Sequence, residues 1–101
     1  METGKKLNSQ ERMLAIVEKL VESPVEGMSN KALARELGTL EANVCRDLKI
    51  LEGRGWIERP AGGKWRMSAK FGGFAGTIIK GFQSAKLRLT EDEARYASEM
   101  Q

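Results

Sequence analysis

Histidine is absent from this 101-residue chain, and cysteine nearly so, with Cys45 standing alone. Without an imidazole there is no ready acid–base group, no Ser–His or Cys–His nucleophile, and no zinc site of the usual Cys and His type. A lone cysteine closes no internal disulfide. The carboxylates are spread as helix-surface charges rather than gathered into a pair, so no catalytic constellation remains. The chain is therefore expected not to be an enzyme and to require no cofactor. Long apolar runs are lacking as well. None approaches the roughly 20 residues that cross a bilayer, and the polar first residues lack the apolar stretch of a signal peptide. A cytoplasmic location with no membrane partner is the corresponding expectation.

What is present is the composition of a folded protein, 41% hydrophobic and 31% charged, too apolar for a wholly disordered chain. A chain this short holds one core plus an arm of about thirty residues. The pattern divides it into a flexible N-terminus over residues 1–8, a folded domain over 9–70 and a helical extension over 71–101. The net charge of +3 is unevenly spread. Residues 59–90 carry seven basic side chains and no acidic one; the residues before them carry nine basic and ten acidic, and those after them one basic and four acidic. Such a block is either a solvated basic surface or a surface for a polyanion.

Hydrophobic spacing gives the elements. Asn8 or Ser9, with Glu11 in capping-box position, opens a first helix whose Met13, Ile16, Val17, Leu20 and Val21 recur at helical intervals until Ser23-Pro24 stops the run. Glu26-Gly27 reads as a turn. Ser29 caps a second helix with Ala32, Leu33 and Leu37 buried, ending at Gly38. Thr39 is placed to cap a third helix with Leu40, Val44, Leu48 and Leu51 inward, ending near Gly53-Arg54-Gly55. Two alternating segments, Trp56-Ile57-Glu58-Arg59 and Lys64-Trp65-Arg66-Met67, flank Pro60-Ala61-Gly62-Gly63 and predict a β-hairpin, its two glycines supplying positive φ. Beyond it Phe74, Ile78, Phe82, Ala85 and Leu89 keep a helical stripe through several glycines, and Thr90 with Glu93 predicts a fresh cap for a short acidic helix reaching about Ser98. The fold class is thus mainly α with a small β-hairpin (α+β). Three helices and a two-stranded wing in this order make a winged helix-turn-helix, followed by a C-terminal helical extension.

The chain resembles the DNA-binding domain of the IclR-type transcriptional regulators, and more loosely the MarR-like winged helices. The resemblance covers residues 13–67. It rests on Met28-Ser29-Asn30-Lys31-Ala32-Leu33-Ala34-Arg35-Glu36-Leu37-Gly38, on Val44-Cys45-Arg46-Asp47-Leu48-Lys49-Ile50-Leu51, and on Gly55-Trp56-Ile57-Glu58. It implies that the third helix enters the major groove, that the residues at its start read bases, and that the hairpin contacts the backbone beside it. The long ligand-binding domain of IclR regulators has no counterpart, so no small-molecule effector is implied. A winged-helix family that binds left-handed nucleic acid shares the Leu-Gly-Thr turn but places an Asn and a Tyr where this chain has Cys45 and Lys49, which disfavours it.

With Leu40, Val44, Leu48 and Leu51 assigned to the core, the outward face of the third helix falls to Glu41, Ala42, Asn43, Cys45, Arg46 and Lys49. Arg46 suits guanine O6 and N7 or a phosphate, and Asn43 suits adenine N6 and N7. Glu41 facing phosphates is costly and either accepts from a cytosine amino group or points away. Asn30, Lys31, Thr39 and Ala42 complete the candidate contacts of the helices, with Lys64 and Arg66 on the wing and Lys70 beyond it suited to phosphates. Trp56 and Trp65 read as packing groups and Cys45 as a small filler. The expectation is a sequence-specific double-stranded DNA-binding protein, a small bacterial or bacteriophage transcriptional regulator, nucleoid-associated when bound. The C-terminal stripe of Phe74, Ile78, Phe82 and Leu89 either packs back onto the first helix or joins two protomers, and a homodimer would address two half-sites about one helical turn apart. The alternatives are a winged-helix adaptor for a protein partner and an architectural or replication accessory protein that binds DNA without reading sequence.

Overall fold

The computed structural model describes residues 6–100. Most of the expected flexible N-terminus, residues 1–5, lies outside them. Helix α1 (Ser9–Val21) opens on a reciprocal capping box: the Asn8 side chain accepts from the Glu11 N–H at 2.8 Å, and the Glu11 carboxylate accepts from the Asn8 N–H at 3.0 Å. Two donors that no helical turn can satisfy are thereby paired. Ile16 and Leu20 are buried, with Met13 and Val17 packed beside them.

Helix α2 (Asn30–Leu37) starts where the Ser29 hydroxyl accepts from the Ala32 N–H at 3.1 Å. It buries Leu33 and Ala34. The expected Ala32 and Leu37 are only half-buried, because α2 packs on both α1 and α3 and so covers two adjacent rows of its surface. The helix closes at Gly38 in the left-handed conformation, φ 62°, with the Thr39 N–H donating to Ala34 O at 3.0 Å. That is the paired ending for which glycine is favoured.

Thr39 thus finishes α2, and this corrects the expected cap of the third helix. Helix α3 (Glu41–Gly53) has Leu40 at its N-cap, without a side-chain cap bond, and Leu40 is 72% exposed rather than inward. Val44, Leu48 and Leu51 are buried as the spacing predicts. Asp47 is buried among them, and its partner is Arg12 of α1, at 2.5 Å from Nε to Oδ2 and 3.0 Å from Nη2 to Oδ1. The carboxylates are therefore not all surface charges. A forked guanidinium meeting both oxygens is the geometry in which a dry ion pair is tolerated. Asp47 raises the Arg12 pKa, first by this hydrogen bond and then by its charge, against the opposing effect of burial.

A tight connection leads to β1 (Ile57–Glu58) and β2 (Arg66–Met67), antiparallel with Ile57 opposite Met67 and Glu58 opposite Arg66. The strands are shorter than the four-residue segments expected, and the turn between them includes a single 3₁₀ turn at Pro60–Gly62. Positive φ falls on Ala61 (46°) and Gly62 (70°), not on Gly63 (−84°). The hairpin has a neighbour that the sequence pattern does not reveal. Met28, just before α2, exchanges two backbone hydrogen bonds with Trp65, at 2.8 and 2.9 Å. Trp65 and Ile57 join the helices in one core. Trp56 packs against Phe71, ring centroids 5.2 Å apart.

Ser68 then starts α4 (Ala69–Glu99): its hydroxyl accepts from the Phe71 N–H at 3.2 Å and donates to Gly55 O at 2.6 Å. The expected break before Thr90 does not occur. The Thr90 hydroxyl donates back to Lys86 O at 3.0 Å, an arrangement of a residue inside a helix rather than at its cap. The chain divides into two compact units, one ending at Phe71 and the other beginning at Gly72. In the second unit Gly72, Gly73, Gly76 and Gly81 have nothing within 4 Å of where a Cβ would stand, and each lowers helix stability by about 1 kcal/mol relative to alanine. The architecture is mainly α with one small antiparallel sheet.

Candidate nucleic-acid interface

The side chains that could meet a ligand are set by what the core leaves over. On α3 the buried row of Val44, Asp47, Leu48 and Leu51 leaves Glu41, Ala42, Arg46, Lys49 and Ile50 exposed, with Asn43 and Cys45 half-buried. Asn43 joins two neighbours. Its Nδ2 donates to Thr39 Oγ1 at 3.0 Å, and its Oδ1 accepts from Arg46 Nη2. Thr39, Asn43 and Arg46 therefore form one hydrogen-bonded row along the first turns of α3, with the guanidinium still exposed.

Asn30 sits differently from Lys31 beside it. Its Oδ1 accepts from the Trp65 indole N–H at 2.8 Å and its Nδ2 donates to Cys45 Sγ at 2.9 Å, so one half-buried amide ties α2 to α3 and to the hairpin. Both ends are occupied within the protein. Lys31 is exposed on the next position of α2. The contact also gives Cys45 a partner inside the fold.

On the hairpin, Lys64 is exposed, whereas Arg66 donates from Nε to Glu58 Oε2 at 2.8 Å. These two residues face each other across the strands, and the acid at 58 offsets the charge that a phosphate would meet at 66. Lys70 donates to Arg54 O at 2.7 Å. Arg59, which the sequence pattern places at the head of the basic block but does not single out, lies with its guanidinium 4.7 Å from the Trp65 ring centroid. Among the described residues Lys31, Arg46, Lys49 and Lys64 form no salt bridge, while Arg12, Lys19, Arg66 and Arg95 do. Uncompensated cations thus lie on the exposed faces of α2 and α3 and on the hairpin turn, and Lys80, Lys86 and Arg88 of α4 likewise form no salt bridge among the described residues.

Among the described residues no group of three or more His, Cys, Asp or Glu is placed to hold a metal ion, and no helix is long and apolar enough to cross a membrane. Compared with known proteins, the chain matches no protein-family model, no curated protein and no solved structure.

Proposed function

We propose that this chain is a sequence-specific double-stranded DNA-binding protein of the winged helix-turn-helix type, a small transcriptional regulator whose α3 enters the major groove. The observation that carries the reading is the exposed face of α3, where Arg46 and Lys49 have no acidic partner among the described residues and Ala42 lies one turn before Arg46. A helix of this kind, joined to its predecessor by the tight Gly38 turn, is shaped to present its first turns to base edges. Arg46 provides a planar fork for guanine, and Ala42 an apolar contact for a thymine methyl group. Lys31 and Lys64 are placed to hold phosphates, which position the protein without reading sequence. The Met28–Trp65 bridge supports the same reading, since it fixes the hairpin to the start of α2.

Selection of bound duplexes from a random pool should enrich one motif. On that motif Arg46→Ala should cost about 1–3 kcal/mol, with a smaller loss on random DNA and little change in the melting transition. Lys64→Ala should weaken binding to all duplexes alike and make the salt slope shallower by about one unit. Equal losses on specific and random DNA would reassign Arg46 to a phosphate. Salt-sensitive binding without enrichment would favour an architectural role, and no binding at low salt would favour an adaptor for a protein partner.

A further inference from the structure

We propose that two copies of this chain associate through α4 as an antiparallel pair centred on Leu89. The inference is independent of the DNA reading, because its test contains no DNA. From Gly72 onward the helix has no buried residue. Along it Ile78, Phe82, Leu89 and Tyr96, with Met100 just past its end, are each at least 61% exposed, a larger run of apolar side chains than a solitary surface helix presents. Their spacing is regular: Ile78, Leu89 and Met100 stand eleven residues apart, as do Ala85 and Tyr96. Eleven residues are three turns at about 3.67 residues per turn, so the stripe stays on one side of the helix along its length.

The stripe is also matched to itself when reversed. With the two-fold axis at Leu89, Ile78 falls opposite Met100 and Phe82 opposite Tyr96, and each Leu89 meets its own copy. Charge decides the direction. Between residues 72 and 89 α4 carries Lys80, Lys86 and Arg88 and no acid; between 90 and 99 it carries Glu91, Asp92, Glu93 and Glu99 against Arg95 alone. A parallel pair would lay basic half beside basic half and acidic beside acidic. The antiparallel register brings Lys86 level with Glu93 of the second copy on one flank, and Arg88 level with its Asp92 on the other. The small Ala85 opposite Glu93 leaves that carboxylate room to reach the lysine.

Sedimentation of the full-length protein without DNA should give a dimer. Phe82→Ser, at a position 68% exposed in one chain, should raise the dimer dissociation constant at least tenfold and leave the melting of the first unit, which ends at Phe71, unchanged. Lys86→Glu and Glu93→Lys should each weaken the dimer several-fold. An equimolar mixture of these two variants should recover it, because the mixed pair restores opposite charges at both contacts. The proposal is overturned by a protein that stays monomeric at every concentration, including one that instead binds lipid vesicles. A dimer indifferent to Phe82→Ser, a Lys86→Glu dimer tighter than the parent, and a mixture no stronger than its components overturn it equally.

Discussion

Asp47→Ala should destabilise the first unit by about 3–5 kcal/mol, the loss found when one partner of a buried ion pair is removed. The side chains are 11% exposed at Arg12 and 4% at Asp47. Removing the carboxylate strands a guanidinium that has given up its water and keeps no countercharge. In a unit of this size such a loss is a large fraction of the whole stability. Urea unfolding should show the midpoint falling with an unchanged slope. The paired replacement Arg12→Met with Asp47→Leu should recover most of the loss, since two apolar groups need no partner. A single-variant loss below about 1 kcal/mol, as for an exposed pair, would mean that Arg12 turns out into water when Asp47 is absent. Because the Arg12 pKa is raised on folding, its contribution is present throughout the range below the ordinary arginine value. It is lost only as pH climbs through the raised one. Stability should therefore show no dependence on this group near neutrality.

Gly27→Ala should cost about 2–5 kcal/mol, from left-handed backbone strain together with the loss of the Met28–Trp65 bonds. Gly27 has φ +73°, and a Cβ there would stand 2.2 Å from Trp65 O and 2.9 Å from its carbonyl carbon. Backbone cannot swing aside as a side chain can. The strand end must move, and with it the indole that Asn30 holds. Gly38→Ala is the control: φ is +62° but nothing lies within 4 Å of the Cβ position, so strain alone should remain, about 1–2 kcal/mol. Thermal denaturation of the two variants separates the effects. Equal losses would show that the close approach at Trp65 relaxes without cost.

The parts of this fold legible in the sequence are those decided by neighbours a few residues apart. The Asn8 and Ser29 caps, the Gly38 ending, the Val44–Leu48–Leu51 stripe and the place of the hairpin turn, though not its φ angles, all depend on local spacing. What stayed hidden depends on distant pairing. Arg12 and Asp47 are 35 residues apart, as are Asn30 and Trp65, and nothing in either neighbourhood announces the other. At the candidate site the exposed Ala42, Arg46 and Lys49 were legible because the apolar row on α3 fixes the opposite face. The pairing of Arg66 with Glu58 was not, because it requires the strand register. Thr90 with Glu93 misleads for a related reason: a capping pattern inside a helix looks the same as one that starts it, and only the flanking residues decide.

The glycines of α4 bear on how the molecule loses its structure. Gly72 and Gly73 follow directly on the last residue of the first unit, and Gly76 and Gly81 come within the next ten positions. A helix with that composition transmits cooperativity poorly, because opening it there costs less than opening it elsewhere. Both tryptophans, Trp56 and Trp65, belong to the first unit, whereas much of the helical backbone belongs to the second. Tryptophan fluorescence and far-ultraviolet ellipticity accordingly report on different populations. The two melting curves will not superimpose, and a single unfolding free energy describes the first unit but not the chain.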